Sequence, residues 1–86
     1  MQHSLELEKP KPHRVLRRKY MHITLNGEGV DIAEGSTVAG LLEHLQLQRE
    51  RVAVEVNLDI IPKTAYDSHG LADGDRIEIV HFVGGG

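Results

Sequence analysis

Short segments in which apolar and polar residues alternate cover much of the chain from residue 21 to residue 83. Residues 21–25 (MHITL) alternate with a period of two, which is typical of a strand with one buried face. The Asn26-Gly27 pair that follows is a strong turn signal, because both residues tolerate a positive φ angle. Residues 30–32 (VDI) alternate again, so this region is predicted to form a β-hairpin.

A helical period replaces the alternation after the hairpin. Four apolar residues spaced i, i+3, i+4 and i+7 predict one stripe that faces a sheet; they are Val38, Leu41, Leu42 and Leu45. Ser36 or Thr37 is placed to cap the helix, because its hydroxyl can accept hydrogen bonds from free backbone N–H groups. Gly40 lowers helix stability by up to about 1 kcal/mol relative to alanine. A close approach of the helix backbone to the sheet would explain this glycine, and so would chance.

Two further strands and an irregular connection follow the helix. Residues 52–57 (VAVEVN) place three valines on one face, and residues 60–62 (IIP) predict a short fourth strand. Pro62 has no backbone donor, which favours an edge position in the sheet. Residues 66–72 have no regular period and room for one helical turn, and residues 73–75 (DGD) are typical of a turn.

The final predicted strand, residues 76–83 (RIEIVHFV), carries apolar residues on both faces. Ile77 and Ile79 share one face, and Val80 and Phe82 share the other. Either a bulge near Val80 switches the later residues to the first face, or Val80 and Phe82 form an exposed apolar patch. In the second case this patch is a predicted docking site for a partner, beside the glycines that follow.

The sequence ends on Gly84, Gly85 and Gly86, directly after this strand. Glycine offers no side-chain chemistry, but it permits almost any backbone conformation and has a cross-section slim enough for a narrow channel. The terminal carboxylate of Gly86 is therefore predicted to be the reactive group, on which partner enzymes act. An ordinary chain terminus is the alternative, because the ends of most domains are poorly ordered.

Composition restricts the chemistry that the chain itself can perform. It has 86 residues and no cysteine, which excludes disulfides, thiolate metal ligands and a cysteine nucleophile. Its six histidines are scattered without metal-ligand spacing, so no metal site is expected.

Phe82 and two tyrosines are the only aromatic residues, which predicts a core of valine, isoleucine and leucine. No apolar run reaches the roughly 20 residues of a membrane span, and we expect a cytoplasmic protein that does not bind membranes.

Charge divides the chain into two parts. Residues 1–20 have six basic and two acidic side chains, and residues 21–86 have four basic and eleven acidic ones, which gives +4 and −7. We predict a basic, disordered extension over residues 1–20, one domain over residues 21–83 and a flexible glycine tail over residues 84–86. The acidic domain is expected to repel nucleic acid and could instead be steered towards basic protein surfaces.

Taken in order, several segments resemble the ThiS-type sulfur carriers of thiazole formation in thiamine biosynthesis, which are ubiquitin-like β-grasp proteins. The resemblance covers residues 21–86, and residues 1–20 have no counterpart in a typical member. Members usually have a glycine where Leu58 stands, so that turn is expected to differ. The matching segments are LNGE at 25–28, STVAGLL at 36–42, VAVEVN at 52–57, IP at 61–62, DGDRIEIV at 73–80 and the terminal glycines.

This resemblance implies an α+β fold with a mixed sheet of four or five strands and one main helix packed on one face. It also implies that an E1-like adenylating enzyme uses ATP and Mg²⁺ to convert the Gly86 carboxylate into an acyl-adenylate. A sulfur-donating enzyme then supplies the sulfur of a thiocarboxylate, which thiazole synthase consumes. The chain would bind no cofactor and would be a protein co-substrate rather than an enzyme, with Val80, Phe82, Gly84 and Gly85 at the partner interface.

Three other functions are compatible with the same fold and ending. A small subunit of molybdopterin synthase would use the same tail chemistry with a pterin precursor as the acceptor. The Val-Glu-Val-Asn segment favours the thiamine family over this alternative. A ubiquitin-like modifier would join Gly86 to lysines of target proteins through isopeptide bonds, and a pure interaction domain would not need its glycines at all.

Overall fold

The structure is a computed structural model that describes residues 19–82. Its strands are β1 (Tyr20–Leu25), β2 (Glu28–Ala33), β3 (Val52–Val56), β4 (Asp59–Ile61) and β5 (Arg76–His81), its α-helix is α1 (Val38–His44), and 3₁₀ turns span Arg49–Arg51 and Lys63–Ala65. The predictions for residues 1–18 and 83–86 lie outside the described residues. Because β1 begins at Tyr20, the regular structure starts one residue before the domain boundary predicted from the sequence.

The five strands form one mixed sheet in the order β2-β1-β5-β3-β4. β5 lies in the middle, parallel to β1 and antiparallel to β3, and each of these neighbours pairs with an edge strand in an antiparallel hairpin. The predicted first hairpin is confirmed, and β4 lies at an edge as Pro62 predicts. The predicted α+β arrangement, a mixed sheet with one helix on one face, is therefore confirmed.

Helix α1 is capped by Thr37, one of the two residues predicted for this role. The Thr37 hydroxyl accepts a hydrogen bond from the backbone N–H of Gly40 at 3.1 Å. The predicted stripe is confirmed, since Val38, Leu41 and Leu42 are buried. A Cβ atom added at Gly40 would meet only the Thr37 hydroxyl, at 3.5 Å, so close packing against the sheet does not explain this glycine. Within residues 19–82, no helix is both long and apolar enough to cross a membrane.

The core between α1 and the sheet contains a residue that composition did not predict. Most of its buried residues are valine, isoleucine and leucine, but the largest fully buried side chain is Tyr66, which is 1% exposed. Its carbonyl accepts a hydrogen bond from Ala39 at 2.9 Å, which ties the connection after β4 to the start of the helix. Burial raises the pKa of the Tyr66 hydroxyl. The prediction of a core made only of valine, isoleucine and leucine is wrong, because Tyr66 and Met21 are both buried.

The turn between β3 and β4 places two residues in the left-handed region of backbone conformation. Asn57 has a φ angle of 52° and Leu58 has a φ angle of 76°. Two-residue turns with positive φ at both positions are common in hairpins, because their twist matches that of the strands. They favour Asn followed by Gly, because these residues tolerate positive φ. The expectation that Leu58 changes this turn is wrong. The turn keeps a glycine-type conformation, and the leucine adopts it at a steric cost.

We predict that Leu58→Gly raises the free energy of unfolding by about 1 kcal/mol. A β-carbon in the left-handed region costs roughly 1–2 kcal/mol, and part of that gain is offset by the extra freedom of glycine in the unfolded chain. Urea unfolding measures the change. Leu58→Ala is the control, since it removes the exposed side chain and keeps the β-carbon. If both variants gain the same stability, backbone strain at Leu58 is not the cause.

Candidate functional site

The candidate site lies where β5 ends and the glycine tail begins. The antiparallel pairing of β5 with β3 runs without interruption to His81, which lies opposite Val52. Phe82 continues this register, because its N–H donates to the carbonyl of Arg51 at 2.8 Å. The strand therefore has no bulge near Val80. Of the two alternatives left open by the sequence, apolar residues on both faces are what the structure has.

The face of the sheet opposite α1 carries an apolar patch at this end. Val80 is 59% exposed and Phe82 is 48% exposed. Ala53 lies directly opposite Val80 on β3, and Ile60 on β4 is 74% exposed. Strand alternation places these residues on one face, and we call the four of them the apolar patch. Both residues predicted for partner binding within the described range are thus accessible, and their contact with a partner stays a prediction.

The predicted reactive residue lies beyond the described part of the chain. Gly84, Gly85 and Gly86 follow Val83, and Phe82 is the last residue that the structure describes. The described part of the site is therefore the end of β5 together with Phe82, which we call the tail base. What the structure provides is the set of contacts that fix the end of β5, from which the tail continues.

Asn26 holds the edge of β5 that faces β1, beyond the point where β1 ends. Its backbone N–H donates to the carbonyl of Ile77 at 2.9 Å. Its side-chain amide then accepts from the N–H of Ile79 at 2.8 Å and donates to the Ile79 carbonyl at 3.2 Å. One side chain thus satisfies both backbone groups that a neighbouring strand would otherwise bind. The sequence predicted only a turn here, because asparagine is common in hairpin turns and carries no signal of this contact.

Lys63 contacts the tail base on the side of β3. Its ammonium group donates to the carbonyl of Val52 at 2.6 Å. It lies 5.7 Å from the ring centroid of Phe82 and 5.8 Å from that of Tyr66, within the range of cation–π interactions. Sequence reasoning assigned Lys63 no role. Its contacts join residues far apart in the sequence, so no local pattern indicates them.

The acidic turn after residue 72 binds a backbone N–H and the Asn57 side chain. The Asp75 carboxylate accepts from the Ala72 N–H at 2.8 Å and from the Asn57 side-chain amide at 3.0 Å. Asn57 in turn accepts from the N–H of Arg76, the first residue of β5, at 2.9 Å. Among residues 19–82, no group of three or more histidine, aspartate or glutamate side chains is placed to hold a metal ion. The turn predicted here is confirmed, and it fixes the start of β5.

One bidentate ion pair lies beside the tail base. The Arg49 guanidinium donates to the two oxygens of Asp67 at 2.8 and 3.1 Å. These hydrogen bonds lower the pKa of the Asp67 carboxyl, and the same pairing raises the pKa of Arg49. The Arg49 guanidinium also lies 5.7 Å from the ring centroid of Tyr66. Arg49, in the first 3₁₀ segment, is therefore joined to the connection after β4 and to the buried Tyr66 ring.

We predict that Asn26→Gly exposes the Ile79 amide to exchange with solvent. The variant removes both side-chain hydrogen bonds while glycine tolerates the φ angle of 50° at this position. Two lost hydrogen bonds correspond to about 1–3 kcal/mol of stability. Amide hydrogen exchange followed by NMR measures the effect. The Val80 amide is the internal control, since Val80 pairs with Ala53 on β3. Equal loss of protection at both amides would show that Asn26 acts only on global stability.

We predict that Asp67→Asn lowers the melting temperature slightly at neutral pH and has no effect in strong acid. Because the pKa of Asp67 is lowered in the folded state, its pairing with Arg49 contributes stability above the ordinary carboxyl pKa. That contribution is lost as the pH falls through the folded value. The pair is exposed, so the decrease is a few degrees at most. Thermal unfolding from pH 7 down to about pH 2 measures it.

The matched control for this pair is Asp59→Asn. Asp59 is exposed and has no ion pair within residues 19–82, so its variant should show no such pH-dependent difference. A difference between Asp67→Asn and the unmodified chain that persists unchanged in strong acid would contradict the assigned role of the carboxylate.

The sequence profile of the ThiS family matches residues 6–86 of this chain. The chain is 44% identical over 66 residues to a thiazole synthase of Paramagnetospirillum magneticum; the match covers 77% of this chain and 20% of that enzyme. It is 46% identical over 65 residues to the sulfur carrier protein ThiS of Bacillus subtilis, where the match covers 74% of this chain and 98% of the relative. The chain thus spans about one fifth of the thiazole synthase and nearly all of the carrier.

The fold matches a solved member of the same family. The crystal structure of a thiamine biosynthesis protein (ThiS) from Geobacter metallireducens superposes with a TM-score of 0.67 at 38% identity. The superposition covers 77% of this chain and all of that one. Sequence profile, full-length relative and solved structure therefore agree, and the chain belongs to the ThiS family of ubiquitin-like β-grasp proteins.

Proposed function

We propose that this protein is a sulfur carrier of thiamine biosynthesis and that the Gly86 carboxylate carries the sulfur as a thiocarboxylate. The observation that carries the proposal is the run of glycines beyond the last core strand, together with membership of the ThiS family. In a ThiS-family chain, three glycines follow the last core strand almost directly. The chain has no cysteine, so no side-chain thiol is available to hold activated sulfur.

The chemistry begins with activation of a poor electrophile. In the proposed first step, an oxygen of the Gly86 carboxylate attacks the α-phosphorus of ATP, and pyrophosphate leaves. An adenylating enzyme of the E1-like class binds the ATP and its Mg²⁺. Sulfur, delivered by a donor enzyme at the oxidation level of sulfide, then attacks the acyl carbon. AMP leaves with one of the two former carboxylate oxygens, so the product is a thiocarboxylate.

The carrier acts in these steps as a protein co-substrate. Its described residues supply no group to the reaction, and their part is to hold β5 and present the tail. Glycine at the last positions leaves both the carboxylate and the later acyl carbon open to attack. Val80 and Phe82 lie at the base of the tail with about half of each side chain exposed. We propose that they dock on the partner enzymes while Gly84 and Gly85 reach into the active site.

Thiazole synthase is the proposed acceptor of the sulfur. A thiazole synthase contains a segment 44% identical to this chain. This similarity supports a link between a carrier of this type and that enzyme. This relation favours thiamine biosynthesis over a pterin acceptor. It also favours sulfur transfer over attachment of Gly86 to lysines of target proteins.

We predict that incubation with the cognate adenylating enzyme, ATP, Mg²⁺ and a sulfur source replaces one oxygen of the protein by sulfur. Intact-mass and fragment mass spectrometry measure this change, which should map to Gly86. Deleting Gly86 withdraws the carboxylate by about 3.5 Å. A misplacement of about 1 Å can cost on the order of 10²-fold in rate, so this variant should lose the reaction while keeping its fold.

A chain extended beyond Gly86 is the second control, because it has no carboxylate at that residue. It should fold normally and acquire no sulfur. If the extended chain still acquires sulfur without being trimmed, the carrier proposal is wrong. Conjugates to lysines of other proteins in cell extract would instead support a role as a modifier.

A further inference from the structure

Basic side chains are concentrated at one end of an otherwise acidic domain. Residues 19–82 contain five lysine and arginine residues against eleven aspartate and glutamate residues. Three of the five basic residues lie in the 3₁₀ turns that precede β3 and follow β4; they are Arg49, Arg51 and Lys63. Since β3 is antiparallel to β5, the start of β3 lies at the end of β5. These cations therefore lie near the end of β5.

The three cations differ in how they are paired. Arg49 is neutralised by its bidentate contact with Asp67. Lys63 contacts the Val52 carbonyl and two aromatic rings, and no carboxylate of the described residues neutralises it. The guanidinium of Arg51 is exposed and has neither a hydrogen bond nor an ion pair within residues 19–82. Two positive charges near the end of β5 are thus left without an acidic partner in the described part of the domain.

Arg51, through its backbone, and Lys63, through its ammonium group, both adjoin Phe82, the last described residue. The carbonyl of Arg51 accepts the Phe82 N–H at 2.8 Å, so the two residues lie opposite one another in the extended ladder. The Lys63 ammonium lies 5.7 Å from the Phe82 ring centroid. We call Arg51 and Lys63 the cationic rim. The rim borders the apolar patch on the side from which the chain continues towards Gly86.

We propose that the cationic rim docks on an acidic surface of the adenylating enzyme, next to the entrance through which the tail reaches the nucleotide. This proposal rests on the proposed carrier function and adds its partner surface. The domain as a whole is acidic and would be repelled by an acidic partner, so a local positive rim is needed to orient the tail end towards it. Exposed charges of this kind act mainly on association rate and orientation, and salt screens them.

The test compares Arg51→Glu with Arg76→Glu. Both arginines are exposed, neither guanidinium has a partner within residues 19–82, and Arg76 lies at the opposite end of β5. The two variants have the same net charge, so any difference between them comes from position. We expect Arg51→Glu to slow association with the adenylating enzyme about tenfold at low salt, and Arg76→Glu to have little effect. The difference should shrink at high salt, and Arg51→Lys should behave like the unmodified chain.

The outcomes separate the rim from the carrier function. If the unmodified chain is adenylated and both glutamate variants associate at equal rates, the rim proposal is overturned and the carrier function stands. If Arg51→Glu lowers the turnover rate but not the association rate, the arginine acts on the nucleotide phosphates, and docking is overturned. If the unmodified chain is never adenylated, the proposed function fails and the rim loses its partner. A circular dichroism spectrum and melting temperature of each variant exclude misfolding as the cause of slow association.

Discussion

The central position of β5 is the constraint on which the structure and the candidate site both depend. Ile77 in this strand is fully buried between α1 and the sheet. The same strand pairs with β1 on one side and β3 on the other. A strand bound on both sides and covered by the helix cannot shift its register without exposing its buried face. The end of β5 is therefore held at a fixed position in the domain, which suits the proposed reaction at Gly86.

β1 ends before β5 does, and a side chain replaces it there, whereas β3 pairs with β5 as far as His81. Beyond Leu25 on β1, the amide of Asn26 binds both backbone groups of Ile79. On the far side of β3, Lys63 binds the Val52 carbonyl and lies over the Phe82 ring. These contacts hold the end of the strand in place while leaving one face open. That combination explains how Val80 can be exposed to partners on a strand that is otherwise central to the fold.

The sequence predicted those features that depend on local pattern. The helical stripe, its N-cap and the alternation of the strands are local, and each was predicted within a residue or two. The burial of Tyr66, the contacts of Asn26 and those of Lys63 join segments 11 to 53 residues apart, and no periodicity encodes them. At Leu58, by contrast, a local sequence signal was misleading. Its side chain predicted a different turn, but the pairing of β3 with β4 kept the turn geometry against the preference of the residue.

Apolar contact and charge have separate tasks at the tail base. The apolar patch can supply affinity, since burying it against a partner releases water from about half to three quarters of the surface of each large side chain. Apolar contact is non-directional, so it does not decide which way the tail points. Charges that differ in sign between the rim and the rest of the domain do decide this, because they give the approaching partner a preferred orientation. Under the proposed function the carrier meets more than one enzyme, and this division then allows orientation to be specified without tight binding.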